Sequence, residues 1–450
     1  MAATTSVQSL DVDPLVVDLY EITMVEAYVH AGMVGRAVFE LFVRRLPRAR
    51  NFLIAAGLEQ AVAFLESFRL SEAALDELEE VHPIAPATRA VLRGLRFSGD
   101  LDAVPEGTVV FADEPLLRIT APLSEAQLVE TRLLNLIHFQ TLVASKAARA
   151  VIAAGGRPLV DFGLRRAHGA EAGTLAARAA YVAGFAGTSN VRAGIDFGVP
   201  IFGTMAHAFV QANDDERGAF LRFALAQPPG DGITLLIDSY DTEAGAANVV
   251  SLSPELAARG LKVAAVRIDS GDLAEHARRV RRILDLGGLR DVRIIASSGL
   301  DEHAIAALVA SGAPIDRFAP GTRIVTSADA PHLDCAYKLV EYAGRPRFKR
   351  SEGKVTLPGR KQVWRVRDAR GVIAVDHLTT ADERVAGAEP LLVPIMRGGA
   401  RVTAPPPLDK LRARASREIA SLPEALRSLA PAPPFGPRPS ALLTAGAGWR

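Results

Sequence analysis

Val263-Ala-Ala-Val-Arg-Ile-Asp269 is a short, nearly continuous apolar run that ends in an acid and is followed at once by Ser270-Gly271. A run of this length without alternation reads as a strand buried on both faces. Similar runs surround it: Pro158-Leu-Val-Asp-Phe-Gly163, Val199-Pro-Ile-Phe-Gly203, Ile233-Thr-Leu-Leu-Ile-Asp238, Arg293-Ile-Ile-Ala-Ser-Ser-Gly299 and Arg317-Phe-Ala-Pro-Gly-Thr322. Each ends in Gly, Asp, Ser or Thr, and each is followed by a helical stretch. Buried strands separated by helices predict a parallel sheet covered on both faces. With Gly184 to Val191 as a further crossover, the set predicts a closed α/β barrel. An open doubly wound sheet is the alternative, but no Gly-x-Gly-x-x-Gly turn stands in the right context.

Upstream, Asp18 to Tyr28 predicts a helix with Asp18 as N-cap and Gly32 as its stop. Ala37-Val-Phe-Glu-Leu-Phe-Val43 alternates and predicts a strand, with a basic turn Arg44-Arg45-Leu-Pro-Arg48 behind it. Helices follow to residue 95, then short strands from Asp100 to Ile119, then one long helix from Ser124 to about Ala154. After about residue 340 the barrel pattern stops. Tyr342 to Val366 predicts a small β-rich appendage with the fragments Val355-Thr-Leu-Pro-Gly359 and Gln362-Val-Trp-Arg365. Pro407 to Leu429 is helical, and the Pro-rich tail from Ala430 to Arg450 predicts an extended strap. The expected limits are 1–122 for an N-terminal α/β domain, 123–340 for the barrel and 341–450 for a small C-terminal α+β domain with its strap.

Composition excludes several classes of function. Lys and Arg total 52 against 51 Asp and Glu, so no global basic field invites nucleic acid or anionic lipid. Cys335 is the single cysteine, which excludes an internal disulfide framework and fits a reducing compartment. Residues 1–14 carry Asp11 and Asp13 and no basic n-region, so no signal peptide is expected. No uncharged apolar run approaches the roughly 18–20 residues that span a bilayer. A soluble, cytoplasmic enzyme is the expectation.

Strand ends in an α/β barrel converge on one face. That rim collects Asp161, Phe162, Arg165, Arg166, Thr204, His207, Asp238, Asp241, Arg267, Asp269, Asp272, Ser297, Ser298, Gly299, Gly321 and Thr322. His207 stands at the opening of a helix, where an imidazole can exchange a proton or act as a nucleophile near neutral pH. Ser297-Ser-Gly299 and Gly321-Thr322 offer N–H groups and hydroxyls to a phosphate. The carboxylates can hold magnesium or stabilise a developing cation, and the arginines can grip an anion at two points. Each feature also has a plain structural reading: His207 and the acids as helix caps, the Ser/Gly/Thr pieces as turns, Arg165-Arg166 as a solvated pair. Their coincidence at successive strand ends favours chemistry.

Eight segments carry a family resemblance. They are Asp18-Leu-Tyr-Glu-Ile-Thr-Met24, Asp161-Phe-Gly-Leu-Arg-Arg-Ala167, Gly187-Thr-Ser-Asn-Val191, Gly203-Thr-Met-Ala-His207, Ile237-Asp-Ser-Tyr-Asp-Thr242, Val266-Arg-Ile-Asp-Ser-Gly-Asp272, Ser297-Ser-Gly-Leu-Asp301 and Gly321-Thr-Arg-Ile-Val-Thr326. In this order they resemble the nicotinate phosphoribosyltransferase family from about residue 16 to 366, while the last hundred residues match weakly. The resemblance implies a type II phosphoribosyltransferase fold, an irregular α/β barrel with an N-terminal α/β domain and a small third domain. It implies condensation of nicotinate with 5-phosphoribosyl 1-diphosphate to nicotinate mononucleotide and diphosphate, the first step of NAD salvage from nicotinate. It also implies ATP as co-substrate, Mg2+ and a homodimer with shared active sites, with no nucleic-acid or membrane partner.

By the same resemblance His207 becomes a phosphohistidine, and Asp238 and Asp269 flank the ribose, one of them orienting His207. Phe162 and a Tyr20 from the partner subunit stack on the pyridine. Arg165 and Arg267 meet the nicotinate carboxylate or a nearby phosphate, and Thr204 adds a hydrogen bond. Ser297, Ser298, Gly299, Gly321 and Thr322 hold the phosphoribosyl diphosphate; magnesium arrives with the substrate phosphates, with Asp272 a candidate ligand. Ser189 stands where related nicotinamide enzymes carry an aspartate, so no charge there repels a carboxylate. Ala319-Pro320 departs from the family's Gly and small aliphatic residue, and the proline removes one N–H donor. A nicotinamide or quinolinate enzyme, or a catalytically silent barrel that binds phosphoribosyl compounds, are the alternatives.

Overall fold

Strands buried on both faces need hydrogen-bonded neighbours on both edges, and residues 158–319 supply most of them in parallel. The computed structural model describes residues 13–48, 50–228, 232–349, 351 and 356–446. The barrel strands are β1 (Val160–Asp161), β2 (Gly187–Thr188), β3 (Ile233–Leu236), β4 (Val263–Ile268), β5 (Arg293–Ser297) and β6 (Arg317–Ala319). β3 to β6 pair in sequence order, with Leu235 and Ile294 both opposite Val266 and Ser297 opposite Ala319. β1 pairs with β2, and single bridges join Leu159 to Phe318 and Thr188 to Ile201. The ring therefore runs β3-β4-β5-β6-β1-β2-Ile201. Ala265, Ile295 and Ala319 form a buried cluster in it, with Phe162 packed against them.

Two expectations are corrected here. Val199 to Gly203 is not a buried strand: its ladder is one bridge at Ile201, and that side chain is 57% exposed. Pro200 lacks an N–H, so its carbonyl alone serves the sheet, accepting from Thr188 at 3.0 Å. Nor is the ring closed. Among the described residues no backbone hydrogen bond links Ile201 to β3, and a cavity of about 330 Å3 lined by Gly203, Thr204, Phe223, Ile233 and Thr234 lies there instead. A segment with one paired residue has too little strand to bond on a second edge.

The chain divides into two compact units, residues 146–329 with the barrel strands, and residues 1–145 together with 330–450. These limits differ from 122 and 340 because late strands enter an early sheet. Seven antiparallel strands lie in the order Arg345–Pro346, Cys335–Tyr342, Arg36–Val43, Pro115–Pro122, Asp100–Ala103, Val393–Arg397, Ala400–Arg401. Ala37–Val43 is expected to alternate, but all of it is buried, since both faces are covered and the Glu40 carboxylate is answered by Lys361 at 2.7 Å. The predicted long helix is two, Leu123–Leu128 and Glu130–Ala153, parted at Val129.

A second sheet, Glu389–Pro390, Lys361–Arg367, Ile373–Thr380 and Arg438–Pro439, realises the β-rich appendage and fastens the Pro-rich strap. The strap is also held by Asn51, whose Nδ2 donates to the carbonyls of Ser428 and Ala430 at 3.0 Å, and by Phe435 against Phe111 at 4.3 Å. Val355 of the expected fragment, and residues 447–450 of the tail, lie outside the described residues. Arg365 is fully buried here, bonded to Asp376 at 2.6 and 2.9 Å and to Glu418 at 2.9 Å. Burial and the Asp376 charge push the Glu114 carboxyl well up, against the pull of Arg365. Among the described residues no helix is long and apolar enough to cross a membrane.

Glu21, on helix Leu19–His30, is buried; its Oε1 accepts from the Thr131 N–H at 2.8 Å and the Thr131 hydroxyl at 2.5 Å, and its Oε2 has no hydrogen-bond partner among the described residues. Burial outweighs those bonds, and Glu130 and Asp18 add to it, pushing the carboxyl up from 4.5 to about 7. A folded pKa above the ordinary one means stabilisation that is present below about 4.5 and lost as pH rises through about 7. Glu21→Gln should remove that dependence. Relative to the variant, the wild type should lose on the order of 3 kcal/mol between pH 4.5 and 8, read from urea denaturation at both pH values; an unchanged difference would contradict it.

Candidate active site at the carboxyl ends of the barrel strands

β3 and β4 each run out into an Asp-Ser pair, Asp238-Ser239 and Asp269-Ser270, before a helix begins. A further acid in each loop does the capping. Asp241 accepts from the Ala244 N–H at 2.7 Å, and Asp272 accepts from the Ala274 and Glu275 N–H groups at 3.1 Å. The first acids are thereby free of cap duty. Asp238 Oδ2 accepts from the Asp269 N–H at 2.9 Å and the Ser270 hydroxyl at 2.6 Å. Its Oδ1 is buried with no hydrogen-bond partner among the described residues.

Arg267, from β4, joins the other loops. Its Nε donates to Ser297 Oγ at 2.8 Å, its Nη1 to Thr204 Oγ1 at 3.1 Å, and its Nη2 lies 3.0 Å from Asp269 Oδ1. Its guanidinium also sits 5.3 Å from the centre of the Phe162 ring. Ser297 completes the triangle by donating to Asp269 Oδ1 at 2.5 Å.

His207 opens the short helix His207–Gln211 with its side chain about 38% exposed. Its Nε2 lies 3.9 Å from Asp238 Oδ1 and 4.0 Å from Asp269 Oδ2, and its Nδ1 lies 3.0 Å from Ser239 Oγ. Neither acid lies within hydrogen-bond distance of the ring, and its near polar contact is with serine. Ser239 and Ser270 were not singled out in the sequence, although the repeated Asp-Ser after successive strands was a usable signal.

The two turns expected to cradle a phosphate lie beside this cluster. Ser298 and Gly299 both have left-handed backbone, φ +83° and +55°, which turns the chain sharply after β5. Gly321 packs so close to Phe162 that a Cβ would sit 2.7 Å from the Phe162 carbonyl oxygen. Pro320, though it offers no N–H, accepts from the Phe162 N–H at 2.9 Å and so fixes the ring's backbone. Arg323, next to Thr322, pairs with Asp301 at 2.7 Å and ties the turn after β6 to the cap of the helix after β5.

Two other expected residues of this unit, Arg165 and Asp161, are not drawn in. Arg165 is exposed on the 3-10 turn Leu164–Arg166 and makes no hydrogen bond or ion pair among the described residues. Asp161 is buried and satisfied by the Gly163 N–H and the Thr188 hydroxyl, both at 2.8 Å. Tyr20 belongs to the other unit, where it is 43% exposed; burial of its hydroxyl and then the charge of Glu130 push its pKa up. Among the described residues no group of three His, Cys, Asp or Glu has the geometry of a metal cage.

With the geometry in place, likeness to known proteins is specific. The profile of the nicotinate phosphoribosyltransferase N-terminal domain matches residues 15–138, and that of the nicotinate phosphoribosyltransferase family matches residues 158–340. The chain belongs to the nicotinate phosphoribosyltransferase family. A nicotinate phosphoribosyltransferase of Mycobacterium tuberculosis is 51% identical over 419 residues, covering 93% of this chain and 89% of that protein. The Bacillus subtilis protein of the same name is 42% identical over 377 residues, covering 82% and 76%. The crystal structure of human nicotinic acid phosphoribosyltransferase aligns with a TM-score of 0.87 at 31% identity, covering 96% of this chain and 99% of that one. A nicotinate-nucleotide pyrophosphorylase from Pyrococcus furiosus aligns at 0.74 with 26% identity, covering 91% and 95%.

Gly321→Ala tests the close packing at the rim in this family member. The added Cβ meets backbone, not a flexible side chain, so Phe162 and the turn after β6 must move. A stability loss of about 1–3 kcal/mol and a fall in phosphoribosyltransferase activity of at least about tenfold are expected, read by thermal melting and steady-state assay. Wild-type values for both would show that the approach is unimportant.

Proposed function

We propose that this chain joins nicotinate to 5-phosphoribosyl 1-diphosphate, giving nicotinate mononucleotide and diphosphate, and couples the reaction to ATP hydrolysis through a phosphohistidine at His207. The carrying observation is the cluster of His207, Asp238 and Asp269 within 4.0 Å, set beside Arg267 and the Phe162 ring. The names of the similar proteins favour nicotinate over nicotinamide and quinolinate. Ser189 agrees with that order, since it is exposed at the end of β2 and adds no negative charge.

In this reading the pyridine stacks on Phe162, and its carboxylate meets Arg267. Three of the five Arg267 N–H donors are taken by Ser297, Thr204 and Asp269, which leaves two for a carboxylate. The pyridine nitrogen forms a bond to the ribose C1 as the C1–O bond to diphosphate breaks. Positive charge builds on the sugar, and Asp238 and Asp269 stabilise it. Ser297, Ser298, Gly299, Gly321 and Thr322 hold the 5-phosphate. The donors fit Mg2+ carried by substrate phosphates: Asp238 Oδ1 is an unpartnered carboxylate oxygen, while Asp272 Oδ1 is used by its cap. Bound there, Mg2+ would neutralise phosphate charge.

For the ATP step, the His207 imidazole forms a bond to the γ-phosphorus as the bond to ADP breaks, and water later releases the phosphoryl group as phosphate. A second copy of the chain supplies Tyr20 to the other face of the pyridine. Exposed Leu19 and Tyr20 in one unit, and exposed Val191, Ile195 and Tyr240 in the other, support a homodimer that covers them.

His207→Ala should abolish stimulation by ATP and leave slow, ATP-independent nucleotide formation. Label from γ-labelled ATP should appear on the wild type in acid-labile form and be missing from the variant. Full ATP stimulation of the variant would rule the phosphohistidine out. Assays with nicotinate, nicotinamide and quinolinate should give the highest kcat/KM for nicotinate, and a preference for either other pyridine would overturn the substrate assignment.

A further inference from the structure

The two Asp-Ser pairs at the ends of β3 and β4 are used differently. Ser270 donates to Asp238 Oδ2 at 2.6 Å and thereby fixes a carboxylate whose other oxygen is unpartnered among the described residues. Ser239 instead lies 3.0 Å from His207 Nδ1, and among the described residues its hydroxyl has no other hydrogen bond. His207 Nε2 is 3.9 and 4.0 Å from Asp238 and Asp269, beyond hydrogen-bond distance. The serine is therefore the one directional contact on this imidazole among the described residues.

We infer that Ser239 is the positioning residue for phosphoryl transfer to His207: its Oγ accepts the Nδ1–H, holds that tautomer and leaves the Nε2 lone pair to attack. This rests on the phosphohistidine reading above. A neutral imidazole carries one ring proton, and an acceptor at one nitrogen stabilises the tautomer with its lone pair on the other. Without that acceptor, Asp238 and Asp269 draw the proton to Nε2, where it blocks attack. The charged groups about the ring are these two acids, with Asp238 felt in turn by Glu216 and Arg267 engaged on Asp269. A neutral hydroxyl suits the position because a third carboxylate would trap the ring as imidazolium, which has no lone pair. In the step itself the Nε2–P bond forms, the bond between the γ-phosphorus and the ADP oxygen breaks, ADP departs, and the Nδ1 proton remains shared with Ser239 Oγ.

The test compares full-length wild type, Ser239→Ala and Ser239→Thr in the presence of Mg2+ and γ-labelled ATP. It reads the rate of acid-labile labelling, its dependence on ATP concentration, and the His207 tautomer by 15N NMR of histidine-labelled protein. Ser239→Ala should label about five- to tenfold more slowly at saturating ATP, with half-saturation changed by less than about twofold and the ring proton moved from Nδ1 to Nε2. Ser239→Thr, which keeps the hydroxyl, should recover most of the rate and the Nδ1–H tautomer. An alanine variant with wild-type rate and tautomer overturns the inference. So does a threonine variant as slow as alanine despite a wild-type thermal midpoint. A wild type that takes no label overturns the phosphohistidine reading, and this inference with it.

Discussion

Arg267 is the constraint on which the barrel rim depends. A guanidinium this buried must have its charge answered and its N–H groups satisfied, or the rim would carry a cost of several kcal/mol. Asp269 answers the charge, Ser297 and Thr204 take two further donors, and the Phe162 ring lies under the cation. Those partners come from the loops after β4 and β1, from the last residue of β5 and from the segment leading to His207. One side chain therefore sets the spacing between pieces that are far apart in sequence.

The acids of the rim divide by what their oxygens do. Asp241, Asp272 and Asp301 spend an oxygen on helix N–H groups, and Asp161 spends both of its oxygens inside the fold. Asp238 and Asp269 keep an oxygen apiece facing His207. Negative charge is thus concentrated around the His207 ring. Asp238 Oδ1, buried with no hydrogen-bond partner among the described residues, carries a free-energy cost that the capping acids avoid.

The other unit is held by long-range charge as well as apolar packing. Lys361 reaches Glu40 at 2.7 Å, and Arg365 and Arg367 both converge on Glu418. These pairs link the C-terminal residues to one another and to the first strand, so the last hundred residues are part of the unit and not a loose attachment. Their weak family resemblance does not prevent this, since buried pairs and strand registers can be kept with quite different sequence around them.

Much of the barrel was legible because its information is local. A strand buried on both faces declares itself by an apolar run, and a rim residue by standing where that run stops, so His207, Asp238, Asp269, Arg267 and Ser297 could all be named from position alone. Val199 to Gly203 misled for the same reason: its residues are apolar, yet Pro200 lacks a donor and only Ile201 finds a bridge. Ser239 escaped notice because nothing in its neighbours along the chain says that an imidazole 32 positions away will meet it at 3.0 Å. By itself, then, the sequence determined which segments become strands and which side chains stand at their ends, because backbone period and burial act over a few residues. Which of those side chains touch, where the ring fails to close and how the C-terminal strap is held were decided by the tertiary structure, because distances between segments depend on how every strand and helix between them packs.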